Sequence, residues 1–153
     1  DVEEHGYTLL STAEDLPSRL EAGLQDFAGI IGLSAGLEWL HRYTPEGMNA
    51  GTHRSELARL LFDHLSAQPG LTLINAAPSP ILSFYPERID AHRLAIFLSA
   101  QNIMVRSGYF CCHYYLQHIK KYPALVRVSL GLHNTRRQVE TFAATLKTIL
   151  SDA

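Results

Sequence analysis

The sequence is short of cysteine, and its two cysteines are adjacent, at Cys111 and Cys112. Neighbouring cysteines rarely close an unstrained disulfide with each other, and no further cysteine is present to build a disulfide framework. Free thiols persist in a reducing compartment. This cysteine usage therefore predicts a cytoplasmic protein rather than a disulfide-stabilised secreted one.

Two other shortages exclude kinds of partner. Lys and Arg together number 13 against 15 for Asp and Glu, so the formal net charge is -2 and there is no basic excess to attract nucleic acid. The longest apolar runs, such as residues 95–98, are far shorter than the roughly 20 residues of a membrane-spanning helix. Residues 1–5 lack the basic and apolar regions of a signal peptide, although a processed chain would look the same. We expect neither a nucleic-acid partner nor a membrane span.

The remaining composition is that of one ordinary folded domain. The 153 residues are 46% hydrophobic and 18% charged, and a typical domain has about 150 residues. Residues 1–25 are polar and are interrupted by glycine and proline, with one short strand predicted over residues 7–10.

Two helices are predicted next. Apolar residues recur at helical spacing from Phe27 to Leu40, and this helix is expected to end before Thr44. The segment Thr44-Pro45-Glu46 has the cap, the proline and the acid that are typical of a helix start. The second helix is expected to end before the Gln68-Pro69-Gly70 breaker, and its apolar face consists of Leu57, Leu60, Leu61 and Leu65.

The second half of the sequence mixes strands and helices. Short apolar runs predict strands over residues 71–74, 81–85, 103–106 and 124–130. Asp90 is expected to cap a helix that runs to about residue 101. Thr135, with Gln138 three residues later, resembles a capping box before a last helix. The order helix, helix, strand, strand, helix, strand, strand, helix predicts an α+β fold with a mostly antiparallel sheet and helices packed on one side.

Arg127 lies in the middle of a predicted strand. Strand alternation puts Val126 and Val128 on one face and Arg127 on the other. A guanidinium pairs bidentately with a carboxylate, so Arg127 could form an anion site. The alternative is a solvent-facing residue on an uncovered sheet face, and periodicity alone favours this alternative.

Cys111 lies in a glycine-containing loop between Arg106 and His113. Cationic neighbours favour the thiolate, which is the nucleophilic form of cysteine. The alternative is a buried and inert cysteine, because cysteine is among the most buried residue types. Adjacent ligands cannot all reach one tetrahedral zinc ion, and no second ligand pair has zinc-site spacing, so no metal site is expected.

Two motifs in this part of the chain are similar to those of a known family. Arg106-Ser107-Gly108-x-x-Cys111 and Arg127-x-Ser129-x-x-x-His133-Asn134-Thr135 resemble the Arg-Thr/Ser-Gly-x-x-Cys and Arg-x-Ser-x-x-x-Tyr-Asn-Thr motifs of class V aminotransferase-fold, pyridoxal-phosphate-dependent enzymes. The spacing between them also fits. Upstream, Arg19-Leu20-Glu21-Ala22-Gly23 resembles the family's Arg-Phe-Glu-Ala-Gly. The resemblance covers nearly the whole chain and is strongest to the cysteine desulfurase and selenocysteine lyase branch.

The resemblance implies the small C-terminal domain of a fold-type I pyridoxal-phosphate-dependent transferase. It implies that Arg127 holds the α-carboxylate of an amino-acid substrate and that Arg106 lies beside the substrate and the cysteine loop. It also implies that Cys111 abstracts sulfur from L-cysteine as a persulfide, with pyridoxal 5'-phosphate as the electron sink. A homodimer and a sulfur-acceptor protein are the further partners that it implies.

The resemblance places most of the cofactor site outside this chain. The family's Schiff-base lysine follows a histidine in the large domain, and none of Lys120, Lys121 and Lys147 has that context. Leu24-Gln25-Asp26 replaces the family's Thr-Pro-Asn, whose threonine reaches the cofactor phosphate of the partner subunit. We therefore expect no cofactor-binding residue here and no activity from the chain alone. We expect residues 1–25 to return from a large cofactor-binding domain and residues 26–153 to form the small domain.

The chain also departs from the desulfurase pattern. Tyr109-Phe110 stands where desulfurases often have His-His, and Cys112 replaces a small residue. Two alternatives follow. The first is a class V aminotransferase, lyase or epimerase that does not use Cys111, and the second is a non-catalytic interaction module of the same fold.

Overall fold

A computed structural model describes residues 2–3, 6–7, 23–43 and 50–152 of the chain. The chain divides into two compact units, residues 1–45 and residues 46–153. No helix in the described ranges is both long enough and apolar enough to cross a membrane.

The first unit contains a short hairpin and one long helix. Strands β1 (Val2–Glu3) and β2 (Gly6–Tyr7) pair antiparallel, with Val2 opposite Tyr7. Helix α1 (Phe27–Tyr43) confirms the first predicted helix. It begins after Asp26, whose Oδ1 accepts a hydrogen bond of 2.9 Å from the Gly29 amide, as an N-cap side chain does. The strand predicted over residues 7–10 and the helix start predicted at residues 44–46 lie mostly outside the described residues.

The second unit alternates helices and strands in the predicted order, with one addition. The addition is a π-helix, Tyr114–Ile119, which the sequence pattern did not predict. The other elements are α2 (Ala50–Ser66), β3 (Leu71–Leu73), β4 (Ile81–Pro86), α3 (Ala91–Ala100), β5 (Arg106–Gly108), β6 (Leu125–Ser129) and α4 (Arg136–Ser151).

The four strands of this unit form one antiparallel sheet in the order β3-β4-β6-β5. Strand β6 is therefore central, between β4 and β5. Its register places Ser83 of β4 and Arg106 of β5 opposite the same residue, Arg127. The antiparallel sheet of the predicted fold is confirmed.

One face of the sheet forms the hydrophobic core with the helices. Because side chains alternate across a strand, Leu82 and Phe84 of β4 and Val126 and Val128 of β6 point to the same face, where all four are buried. They join a cluster with buried residues of the three helices, which confirms that the helices pack on one side. The helix residues of this cluster are Leu57, Leu61, Leu65, Ala91, Leu94, Leu98, Val139, Phe142, Leu146 and Leu150.

The strand predicted over residues 103–106 is wrong, because the strand begins only at Arg106 and runs to Gly108. Asn102 adopts a left-handed φ of 59°, and the amides of Asn102 and Ile103 donate to the carbonyls of Ser99 and Leu98. This Schellman arrangement ends α3 and uses the backbone of these residues. Ile103 and Val105 are apolar because they pack against the core and not because they pair in the sheet.

The predicted capping box is confirmed at the start of α4. The Thr135 hydroxyl accepts from the Gln138 amide at 3.3 Å, and the Gln138 side chain accepts from the Thr135 amide at 3.0 Å. The amides of Thr135 and Gln138 at the start of the helix are therefore both paired with side chains.

The core predicts that two phenylalanines contribute very differently to the free energy of unfolding. Phe84 is fully buried in β4, whereas Phe97 of α3 is 43% exposed. Phe84→Ala is expected to lower the free energy of unfolding by about 3–5 kcal/mol, because it removes a buried ring and leaves a cavity. Phe97→Ala is the matched control and should cost less than about 1 kcal/mol, since alanine also favours a helix. Urea denaturation followed by circular dichroism measures both, and equal losses would contradict this description of the core.

Candidate functional site

The candidate site lies on the sheet face that is turned away from the helices. Directly opposed residues of an antiparallel pair point to the same face, so Ser83, Arg127 and Arg106 form a row across three strands. Ser83 and Arg127 are half-buried and Arg106 is exposed. The pleat that sends Val126 and Val128 into the core thus places two arginines side by side on the other face.

The Arg127 guanidinium has an unsatisfied donor. Among the side-chain nitrogen and oxygen atoms buried in the described part of the chain, only Arg127 Nε has no hydrogen-bond partner. A buried donor without a partner costs about 1–3 kcal/mol, so buried polar groups are nearly always paired. An in-plane anion such as a carboxylate would satisfy this nitrogen with a charge-assisted bond.

The Arg127 guanidinium is stacked as well as unpaired. Its Cζ atom lies 4.6 Å from the centre of the Phe110 ring, within the range of a cation–π interaction. The guanidinium carbon therefore lies over the Phe110 ring, and the contact engages the charge without using a hydrogen-bond donor. The simple alternative of a solvent-facing arginine on an uncovered sheet face does not describe this side chain.

Arg106 adds a second positive charge to the same place. Like charges directly opposite each other across a strand pair are destabilising. The ion pairs of the described residues join Arg42 to Glu38 and Arg136 to Glu140, and neither includes Arg106 or Arg127. The two arginines therefore form an electropositive pair without a carboxylate from the described chain.

The loop after β5 carries the two cysteines and reaches this face through Phe110, which contacts Arg127. Gly108 is buried and has a φ of 120°, a conformation that side chains rarely adopt, so glycine suits this exit from the strand. A turn follows in which the Cys112 amide donates to the Tyr109 carbonyl at 2.8 Å. Its two central residues, Phe110 and Cys111, have φ values of 51° and 62°. Turns with two positive φ values normally contain Asn, Asp or Gly.

Both cysteines are free and exposed at this turn. The alternative of a buried Cys111 is therefore wrong, and the reactivity of its thiol stays a prediction. Strained backbone of this kind is concentrated at functional sites, and here it holds Cys111 next to the residue that covers Arg127. Within the described residues, no group of three or more His, Cys, Asp or Glu side chains could hold a metal ion.

Two contacts that sequence reasoning missed hold the loop. His92 Nδ1 of α3 lies 2.9 Å from Ser107 Oγ and ties β5 to the helix. On the other side, the Leu116 amide donates to the Cys112 carbonyl at 3.0 Å, and Leu116 is buried within the π-helix. π-Helical turns are frequent at functional sites. The contact of His92 with Ser107 has no sequence signal, because it joins a helix to a strand 15 residues further along the chain. The bond from Leu116 to Cys112 is local, but it belongs to a π-helix that residue periodicity did not predict.

The second motif shapes the turn after β6. Asn134 Oδ1 accepts from the Gly131 amide at 2.7 Å, and Asn134 Nδ2 donates to Gln138 at 3.2 Å. The Asn134 carbonyl lies 2.9 Å from His53 Nε2 of α2. Asn134 and Thr135 therefore connect the end of β6 to the start of α4, and they support the site through the backbone.

The described residues do not form a cradle for the cofactor. A lysine that forms a Schiff base is activated by a desolvated pocket or a neighbouring cation. Lys120, Lys121 and Lys147 are all exposed, and Lys120 lies over the Tyr115 ring at 5.7 Å. The arginine row fits an anionic substrate group, and we assign no residue of this chain to pyridoxal phosphate.

Comparison with known proteins agrees with the motifs. A family model for class-V aminotransferases matches residues 2–142. A probable cysteine desulfurase of Xylella fastidiosa (strain 9a5c) is 35% identical over 132 residues, which are 85% of this chain and 31% of that relative. A cysteine desulfurase of Synechococcus elongatus is 35% identical over 135 residues, which are 87% of this chain and 21% of that relative. The chain thus spans about a third or less of the length of these curated relatives.

Solved structures give the same result. The cysteine desulfurase CsdA of Escherichia coli is 28% identical with a TM-score of 0.71, and the match covers 99% of this chain and 36% of CsdA. The apo cysteine desulfurase of Thermococcus onnurineus NA1 is 25% identical with a TM-score of 0.73, covering 100% and 37%. A neighbour at 16% identity and a TM-score of 0.59 is a C-DES mutant with glycine covalently linked to its pyridoxal-phosphate cofactor. These matches confirm the fold class and the resemblance that the motifs indicated.

The electropositive pair of Arg106 and Arg127 predicts that removal of one charge stabilises the folded chain. Arg106→Gln is expected to raise the free energy of unfolding by about 0.2–1 kcal/mol at low ionic strength, because it removes one of two opposed like charges. The gain should shrink near 1 M salt, where the Debye length is about 3 Å. Urea denaturation at both salt concentrations measures it.

Lys147→Gln removes one positive charge from the exposed part of α4 and serves as the control, with no gain expected. A loss of stability in Arg106→Gln, or a gain that does not depend on salt, would contradict the like-charge description.

Proposed function

The chain belongs to the class-V aminotransferase family, and we propose that it supplies the substrate-carboxylate site and the sulfur-accepting thiol of a pyridoxal-phosphate-dependent cysteine desulfurase. The observation that carries the proposal is the buried and unpaired Nε of Arg127. Arg127 contacts Phe110 of the loop after β5, and the residue that follows Phe110 is the exposed Cys111. One site thus has an anion-binding donor and a nucleophile at neighbouring positions.

Arg127 binds the α-carboxylate of L-cysteine in this proposal. The Nε and one Nη of a guanidinium form a planar fork that matches the two oxygens of a carboxylate. Arg106, directly across the strand pair, adds a second positive charge that attracts the anion and contacts it from the exposed side. The bound carboxylate then compensates both charges.

Cys111 accepts the sulfur. Its thiolate forms a bond to the sulfur of the bound L-cysteine while the bond between that sulfur and the substrate β-carbon breaks. The electron pair of the broken bond stays with the β-carbon, which takes up a proton, so the products are a persulfide on Cys111 and alanine. Pyridoxal phosphate, when bound, supplies the electron sink for this cleavage. The exposed position of Cys111 lets a sulfur-acceptor protein remove the transferred sulfur.

We propose that the lysine and the other cofactor-binding groups belong to a large domain outside these 153 residues. Residues 1–25 are then the segment that returns from it, and residues 26–153 are the small domain. The complete enzyme is a homodimer in the cytoplasm, and the chain alone is inactive. Two observations support this division. The chain matches only about a third or less of the length of the curated relatives, and its three lysines are exposed.

A second candidate is a class V aminotransferase, lyase or epimerase that does not use Cys111. The observation that favours it is Tyr109-Phe110, which replaces the two histidines often found before the desulfurase cysteine. Arg127 binds the substrate carboxylate in this candidate as well. The two candidates therefore differ only in the role of Cys111.

The adjacent cysteines provide a matched test of this difference. In the complete enzyme that carries this chain, Cys111→Ala is expected to abolish sulfide and alanine formation from L-cysteine, because no persulfide can form. Cys112→Ala removes an equally exposed thiol from the same turn and should retain activity. Both products are measured with dithiothreitol as the sulfur acceptor. Full activity in Cys111→Ala, or no sulfide from the wild type, would refute the desulfurase proposal.

Arg127 predicts a change in substrate binding. Arg127→Lys keeps the charge but loses the planar fork, and it is expected to raise the KM for L-cysteine about 10- to 100-fold, since hydrogen bonds to charged groups contribute about 1.5–3 kcal/mol. Steady-state kinetics of the complete enzyme measure this change. Arg59→Lys, at an exposed position of α2, is the control. An unchanged KM in Arg127→Lys would refute the assignment of the substrate carboxylate to Arg127.

A further inference from the structure

We propose that Phe110 is a positioning residue, which holds the Arg127 guanidinium in one orientation and keeps its edge free and dry for a carboxylate. This inference rests on the carboxylate site of the proposed function and adds a second residue to it. Phe110 stands where the resembling desulfurase motif often has histidine.

The geometry of the stack carries the first step. The Arg127 Cζ lies 4.6 Å from the centre of the Phe110 ring, and both side chains are half-buried. A guanidinium over a ring face is attracted by the ring quadrupole, and this attraction strengthens as water is excluded. The ring also takes up space next to the guanidinium carbon that water would otherwise fill.

The backbone carries the second step. Phe110 has a φ of 51°, which is a genuine outlier for a bulky residue. Asn or Gly would adopt this conformation with less strain. The chain nevertheless has an aromatic residue here, and the contact that offsets the strain is the stack on Arg127. The turn closed by the bond from Cys112 to Tyr109 fixes the ring above the sheet.

The unpaired Nε carries the third step. A half-buried arginine would normally turn its Nε to water or to a neighbouring carbonyl, but Arg127 Nε is buried and has no partner. The ring contact engages the guanidinium at its carbon and leaves the Nε donor without a partner. Phe110 cannot itself hydrogen-bond to a carboxylate, so it contributes orientation and dryness while Arg127 contributes the bonds.

The orientation can be tested on the 153-residue chain by NMR of arginine Nε–Hε groups. The Arg127 signal is identified by its loss in Arg127→Lys. We expect it to show a ring-current shift and slow exchange with water, and to move when acetate is added as the carboxylate probe. Phe110→Leu should abolish the ring-current shift and weaken the acetate response about three- to thirty-fold, the range that a cation–π contact supports.

Three further variants separate the ring from other effects. Phe110→Tyr keeps a ring on the guanidinium and should restore both the shift and the acetate response. Phe110→Asn relieves the backbone strain without a ring and should behave like Phe110→Leu. Tyr109→Leu removes the neighbouring aromatic residue, whose ring lies 5.3 Å from the His113 ring, and should leave Arg127 unchanged.

Kinetics of the complete enzyme distinguish this inference from the proposed function. Phe110→Leu should raise the KM for L-cysteine about three- to thirty-fold with little change in kcat, and should have no further effect once Arg127 is already lysine. If Arg127→Lys raises the KM and Phe110→Leu does not, the positioning role is refuted and the carboxylate site stands. If neither raises it, the carboxylate site is refuted as well.

Discussion

The antiparallel pairing of β6 with β4 and β5 is the constraint on which the candidate site depends. It sends Val126 and Val128 into the core, where they are 0% and 9% exposed, and Arg127 to the opposite face. A register slip of one residue would exchange these faces and bury a charge. The burial of apolar surface on the helix side therefore fixes the position of a guanidinium on the other side.

The loop after β5 adds Phe110 and Cys111 to the candidate site next to Arg127. Both residues have unfavourable backbone conformations. Gly108 suits the turn, but Phe110 and Cys111 occupy the left-handed region without being Gly, Asn or Asp. Local sequence preference normally agrees with the fold, and exceptions are expected where function constrains the chain. Here the strain is offset by the stack on Arg127, the bond between His92 and Ser107, and the burial of Leu116.

Sequence reasoning predicted the elements that depend on local periodicity. The amphipathic faces of α2 and α4, the capping box at Thr135 and the outward face of Arg127 all follow from spacing along one segment. It placed β5 too early in the chain. Residues 103–105 have an apolar pattern that resembles a strand, but Ile103 belongs to the Schellman motif that ends α3. It also missed the stack of Phe110 on Arg127, since a positive φ at phenylalanine has no signature in residue type and the contact joins a loop to a distant strand.

The positive charges on the outer sheet face are not balanced by an ion pair within the described residues. Arg42 pairs with Glu38, and Arg136 pairs with Glu140, each one helical turn away. Arg127 and Arg106 lie opposite each other on one face, and the ion pairs of the described residues include neither of them. A protein selected for stability alone would gain from replacing one of these charges. Both charges are nevertheless present, directly opposite each other and with one donor buried and unpaired, so a bound anion would compensate the positive charge of this sheet face.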